Sequence, residues 1–286
     1  MALNRNTSSS NPFLPEDHAA RQAALIEGAE GFVTEHFKNH DPSHDWQHVN
    51  RVRMMALSLS RCSSLKRQPD MLVLELAALF HDLCDSKYIP LNADGIRSKA
   101  VSSSKTVIAP FLSQYSDAIT PDQAAHVFRV VDNVSWSKDQ AKRRARAQAQ
   151  RDGQAPSTIE QEQIEWEQEN VELHCVSDAD RLDAIGSFGI LRCAAFSAVK
   201  NRTLHVPPKN KEGTSAPPFE QSAGYSDTAI AHFYDKLVKI KGEMLFTETA
   251  RKEAERRQQM LQSFLTELDI EWLVAEQGAQ LSLLEA

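Results

Sequence analysis

Apolar positions recur at helical spacing through most of this chain, and almost nowhere at the alternating spacing of a strand. From His18 to Phe37, Ala24, Leu25, Ala29, Phe32, Val33 and Phe37 keep one helical face. Asp41-Pro42 reads as an N-cap with proline in the first turn, opening a second helix to about Arg61. Pro69-Asp70 repeats that signal for a third helix, whose apolar body ends at His81-Asp82. Next come a helix from Asn92 to Gln114, bent at Pro110, and one that Thr120-Pro121 opens and that reaches about Ser135. Val171 to Lys200 reads as core helix. Ser226-Asp227 caps a helix to about Lys241, and Thr247 begins a long final helix reaching the 270s. The pattern predicts an all-α fold: a single helical domain over residues 18–286, behind a disordered tail at 1–17.

One stretch breaks the pattern. Between Asp139 and Asn170 a basic run (Lys142, Arg143, Arg144, Arg146) passes through Gly153 and Pro156 into an acidic one (Glu160, Glu162, Glu165, Glu167, Glu169). With few large apolar groups, 139–170 reads as a solvated charged insertion, separable from the domain. Residues 206–225, rich in proline, read as a loop.

Composition narrows the class. Hydrophobic residues make up 41% and charged residues 25%, as in a soluble globular protein. The longest apolar run, Met71 to Phe80, is interrupted by Glu75 and is too short for a membrane span. Cys62, Cys84, Cys175 and Cys193 lie far apart without a CxxC pair, which suits reduced thiols in a cytoplasmic or nuclear protein. A net charge of −7 argues against a nucleic-acid polymer as partner, but not against a small phosphorylated substrate. No GxxxxGK[ST] string is present, so the chain is not a P-loop NTPase.

Two strings carry the candidate chemistry: His44-Asp45-Trp46-Gln47-His48-Val49-Asn50-Arg51-Val52, and Leu79-Phe80-His81-Asp82-Leu83-Cys84-Asp85. His44 lies four residues before His48, on the same face of the second helix. His81-Asp82 ends an apolar helix, where an ionisable pair is costly without compensation. A divalent cation would supply it; Asp82 accepting from a neighbouring helix N-terminus is the alternative. Farther on, Asp178, Asp180 and Asp183 follow an apolar stretch. Asp180 and Asp183 can share a face, while Asp178 points elsewhere unless it is a cap. An H…HD…D order of imidazoles and carboxylates suits a borderline or hard divalent ion and phosphate chemistry.

This combination resembles the HD-domain metal-dependent phosphohydrolases, most closely the YpgQ/YedJ-like branch. Further strings carry the resemblance: Ser135-Trp136-Ser137-Lys138, Asp178-Ala179-Asp180-Arg181-Leu182-Asp183-Ala184-Ile185-Gly186, and Ala231-His232-Phe233-Tyr234-Asp235-Lys236-Leu237 with Thr247-Glu248-Thr249-Ala250. The resemblance covers about residues 20 to 275, leaving out the tail and the charged 139–170 stretch. The resemblance implies His48, His81, Asp82 and Asp180 as metal ligands, and Asp85 as the catalytic group beside the attacking water. It makes His44, Arg51, Lys87, Lys138, Arg181 and Asp183 candidate substrate contacts. The implied cofactor is a divalent metal ion, Mn²⁺ or Mg²⁺ first, with Co²⁺, Ni²⁺, Fe²⁺ or Zn²⁺ as alternatives. The implied substrate is a nucleotide, with cleavage of a nucleoside triphosphate to monophosphate and pyrophosphate favoured. A slow nucleotide-binding regulator and a nucleoside 5′-monophosphate phosphatase stay open, as does a homodimer.

Overall fold

Met71–Phe80 (α3) is the helix around which the others pack. Eight of its ten residues are buried, from Leu72 to Phe80 with only Glu75 excepted after Met71. A helix apolar on every side has to be enclosed on every side. Pro15–Phe37 (α1), Trp46–Leu59 (α2), Pro121–Asn133 (α5) and Val171–Asp183 (α8) enclose it. Phe80, Leu74, Leu76 and Leu79 are fully buried there, each burial stabilising by about 1.5–3 kcal/mol. At one end Phe32 stacks on Phe111 with ring centroids 5.0 Å apart, and Phe80 meets both edge-on.

The computed structural model describes residues 15–84, 103–206 and 227–284. Among them are eleven α-helices and no strand, the all-α architecture expected. The remaining six helices are Ser104–Leu112 (α4), Trp136–Arg151 (α6), Thr158–Glu169 (α7), Gly186–Val199 (α9), Ala229–Asp235 (α10) and Glu248–Leu284 (α11).

Several boundaries differ from those expected, each for a local reason. α1 opens at Pro15, inside the segment read as tail. α2 is capped by Asp45, whose carboxylate accepts from the His48 amide at 2.9 Å; Asp41 instead closes its own turn by accepting from the Ser43 amide. His44 therefore precedes the helix and does not lie on its face. α5 begins as expected, with Thr120 and Gln123 forming a reciprocal capping box and Pro121 at the first position. The helix read from Asn92 is described only from Ser104, and it runs through Pro110 to Leu112.

Val171 to Lys200 is two helices, not one. The chain turns by 68° between α8 and α9, pivoting at Gly186 with φ +71°. Three residues on, a side chain at Gly189 would meet the Ala184 carbonyl oxygen at 2.3 Å, so the absence of a Cβ is what lets α9 fold back so closely. Thr228, not Asp227, caps α10, which ends at Asp235. α11 is longer than expected. Its buried residues, Ala250, Ala254, Gln258, Leu261 and Leu265, stop at 265, and past the half-buried Leu268 the helix continues to Leu284 with exposed side chains.

Residues 139–170 form a helical hairpin from most of α6 and α7, turning at Gly153 with φ +70°. No residue of either helix is fully buried. The hairpin is held by polar and aromatic contacts: Arg129 lies over the Trp166 ring at 4.0 Å, and the His174 ring meets the Glu167 carbonyl at 2.8 Å.

Glu172, fully buried near the start of α8, locks the approach to α3. It takes both terminal nitrogens of Arg67 at 2.7 and 2.5 Å and the Asp70 amide at 2.7 Å. Burial alone would raise its pKa, but the Arg67 and Asp70 hydrogen bonds overcome this and hold it below the ordinary value. The unfolded carboxylate, with a pKa of about 4.3, then takes up protons before the folded one does. The stabilisation is complete above that value and is lost as pH falls through the lower folded pKa. Glu172→Gln should lower stability at neutral pH and flatten the acid limb of a urea-midpoint-against-pH curve. An acid limb identical to wild type would show that another carboxylate governs it.

Candidate metal centre

Three short stretches bring four donors together. α2 presents His48 in its first turn, α3 ends at His81 as its C-cap with Asp82 next, and α8 carries Asp180. The His48 and His81 Nε2 atoms lie 3.3 Å apart. Asp82 Oδ2 is 3.2 Å from His48 Nε2 and 3.6 Å from His81 Nε2. Asp180 Oδ1 is 3.8 and 3.9 Å from the same two nitrogens. Both imidazoles are buried.

The tautomers follow from what stands behind the rings. His81 Nδ1 is 2.8 Å from the Ala78 carbonyl, which can only accept, so Nδ1 carries the proton. His48 Nδ1 likewise donates to Asp183 Oδ2 at 2.7 Å. Each neutral ring then points its Nε2 lone pair at the other, with carboxylate oxygens on the same centre. Two lone pairs at that separation repel unless a proton or a cation lies between them. Without a metal the tension falls on protonation. Burial and Arg192 push the His48 pKa down, but its hydrogen bonds to Asp183 and Asp82 prevail and raise it. Burial would raise the Asp82 carboxyl, yet the neighbouring His81, His48 and His44 hold it well below the usual carboxylate range. Donors around one divalent ion at about 2.1 Å sit about 3.0–3.4 Å apart, close to the separations among His48, His81 and Asp82, while Asp180 stands farther off at 3.8 and 3.9 Å. The donor set fits a divalent cation.

Asp183 is the orienting group behind His48 and not a wall of the cavity. It is nearly buried and takes Arg51 through Nε at 2.8 Å and a terminal nitrogen at 3.0 Å, and Arg192 at 3.2 Å. Burial would raise its pKa; the His48 and Arg51 hydrogen bonds drive it far below the usual range. Arg51 is thereby turned away from the donors. It lies over the Phe188 ring at 4.3 Å, in a separate groove. Both residues were expected to touch substrate, and the geometry assigns them to support instead.

Beside the donors opens a cavity of about 330 Å³, lined by His44, His81, Asp82, Asp180 and Trp136 among others. Its cations are Lys138, Arg181, Arg192 and Lys236. Lys138 donates to the Asp132 carbonyl at 3.3 Å. Arg181 is 2% exposed and pairs with Asp139 at 2.9 Å. Asp178 stands apart: fully buried, it accepts from the Phe246 and Thr247 amides at 2.9 and 2.7 Å and so holds the turn before α11, where the Thr247 hydroxyl accepts from the Ala250 amide. Asp85 and Lys87 lie outside the described residues.

Arg192, Lys236 and Trp136 were missed as site residues. Reading 171–200 as one helix hid Arg192, because only the turn at Gly186 swings α9 back beside Asp183. Trp136 and Lys236 stood inside the family-like strings, which was the one available signal.

No family model matches the chain. It is 29% identical over 226 residues to the uncharacterized protein YpgQ of Bacillus subtilis, a match covering 79% of this chain and 83% of that protein. Among solved structures, an HD-superfamily hydrolase from Bacillus thuringiensis aligns with a TM-score of 0.56 at 25% identity, covering 88% of this chain and 98% of its own. The Bacillus subtilis YpgQ structure in complex with ADP aligns with a TM-score of 0.53 at 24% identity, covering 86% and 97%. The resemblance read from the motifs is thus present in sequence and in fold: the chain has the helical fold of HD-superfamily proteins.

Asp183→Asn should weaken divalent-metal affinity by about 10–100-fold, the usual loss when a histidine ligand's carboxylate partner is changed. His81→Ala, by contrast, should abolish stoichiometric metal binding. Metal titration of each variant, with far-UV circular dichroism to confirm the helices, checks both. Wild-type affinity in either variant would remove that residue from the centre.

Proposed function

We propose that this protein is a metal-dependent phosphohydrolase acting on nucleotides, with cleavage of a nucleoside triphosphate to monophosphate and pyrophosphate favoured. One observation carries the reading: two fixed imidazole nitrogens and two carboxylates converge at the edge of a cavity ringed by four cations. Similarity to an HD-superfamily hydrolase supports hydrolysis, and the ADP complex of the similar YpgQ supports a nucleotide.

Within this reading His48, His81, Asp82 and Asp180 hold a divalent ion, Mn²⁺ or Mg²⁺ first. When bound, such an ion polarises a phosphate oxygen and lowers the pKa of a water molecule. The other roles belong to the chain. Lys138, Arg192 and Lys236 line the cavity on three separate elements and neutralise successive phosphate charges. Arg181, tied to Asp139, keeps a buried positive charge behind them. Trp136 offers an indole wall against which an apolar part of the substrate can rest. Asp85, three residues after Asp82, is proposed to take the proton from the attacking water.

A screen of nucleoside mono-, di-, tri- and cyclic phosphates with Mn²⁺, Mg²⁺ and Co²⁺, with product identification, tests the reading. The expected result is pyrophosphate from triphosphates. Asp85→Asn should keep the metal and lose about 10²–10⁴-fold in kcat, the usual contribution of a general base. Tight nucleotide binding with no product from any substrate would replace the enzyme by a nucleotide-binding regulator.

A further inference from the structure

On the far side of Arg181 from the metal donors lies a second cavity, of about 220 Å³, between α6, α7 and the start of α8. Its charged lining is Lys142, Arg143 and Arg146 from α6, Arg181 from α8, and two carboxylates, Asp139 and Glu167. The carboxylates are shared. Glu167 accepts from Lys142 at 2.6 Å and from Arg146 at 2.9 Å, while Asp139 accepts from Arg143 and from Arg181, both at 2.9 Å. Four cations against two carboxylates leave an excess of two positive charges around this cavity, in a chain whose net charge is −7.

Arg181 makes the excess costly. Its guanidinium is buried; one terminal nitrogen donates to the Met244 carbonyl and the other to Asp139, both at 2.9 Å. Its Nε is buried without an acceptor among the described residues. A buried charged donor left unmatched costs several times what a neutral one does. Nε itself is closed off from the cavity, so a ligand would act on the excess charge of the lining: one that offsets it carries two negative charges and several acceptor oxygens, which is the chemistry of a phosphoryl oxyanion. We propose that this cavity is a second oxyanion site, independent of the metal, that binds inorganic phosphate or diphosphate between α6 and Arg181. The volume admits either ion, and Lys142, Arg143 and Arg146 approach from one face of successive α6 turns.

The test uses the full chain in excess EDTA, so that anion held through a divalent ion at the other cavity does not count. Equilibrium dialysis with radiolabelled phosphate, and separately with pyrophosphate, should give one saturable site whose affinity falls as salt rises. The double variant Lys142→Gln/Arg146→Gln should bind at least tenfold more weakly, and Lys138→Ala, in the metal-proximal cavity, should bind as wild type does. Arg181 is left intact because it walls both cavities. As the double variant also frees Glu167, Arg143→Gln alone, at a half-exposed position, provides the second arm, with urea midpoints to verify folding. Loss of binding in Lys138→Ala with retention in the α6 variants would place the anion in the metal cavity and overturn the proposal. So would the absence of saturable binding of either ion at millimolar concentration. A stronger response to pyrophosphate than to phosphate would identify the diphosphate as the ion that fits.

Discussion

The geometry of the metal centre depends on one buried carboxylate. Asp183 accepts from the His48 imidazole and from the guanidiniums of Arg51 and Arg192, and so ties α2, α8 and α9 at a single point. Burying a carboxylate costs several kcal/mol in real proteins, and three donors, two of them cations, offset it here. The return for the site is directional. With Nδ1 fixed on Asp183, His48 can turn only its Nε2 towards His81 and Asp82. Arg192 extends the same tie, donating from Nε to the Ser43 carbonyl at 2.6 Å and so fixing the turn that leads into α2. Candidate ligand, supporting carboxylate and entering loop are therefore one connected polar unit inside an otherwise apolar bundle.

α8 shows how a helix buried on nearly every side can carry several charges. At about 100° per residue, Asp178, Asp180 and Asp183 cannot all look the same way. Asp178 is directed at the amides just before α11, Asp180 at the imidazole pair, and Asp183 at the back of His48. Arg181 faces α6 and the chain before α11, through Asp139 and the Met244 carbonyl. Between them these four side chains reach α2, α3, α6 and the turn before α11, so the pairing that satisfies each charge also fixes where those elements pack. This is why a sequence with four charges in six residues can form a core helix.

The legible parts of the chain were those set by local physics. Helix spacing, the Pro69-Asp70 and Thr120-Pro121 starts and the apolar α3 come directly from pattern and capping chemistry, and they give the all-α class. The approach of His48 to His81 and Asp82 could be suspected only because their types and order suit a metal. What was not legible depended on competition or on turns. Asp41 and Asp45 are both good caps, and the one nearer the apolar stripe prevailed because its carboxylate reaches the His48 amide. The corner at Gly186 lies where two glycines, Gly186 and Gly189, interrupt an otherwise helix-forming stretch, and reading through them concealed Arg192. Arg51 and Asp183 looked like substrate contacts as isolated charges; paired, they satisfy each other.

Net charge hides the electrostatics of this fold for a related reason. The cations around the metal-proximal cavity come from positions 138, 181, 192 and 236, on four separate stretches of the chain, so no single basic run announces them. The one conspicuous basic run, Lys142 to Arg146, lines the other cavity, where two shared carboxylates leave it half neutralised. Topology, not composition, therefore sets the local field: an acidic chain gathers its scattered cations where the helix ends converge. Arg181 stands between the two cavities with its charge buried and its neighbour Asp180 on the imidazole pair. Asp139, which α6 also pairs with Arg143, therefore shares its charge with a guanidinium that lines both cavities.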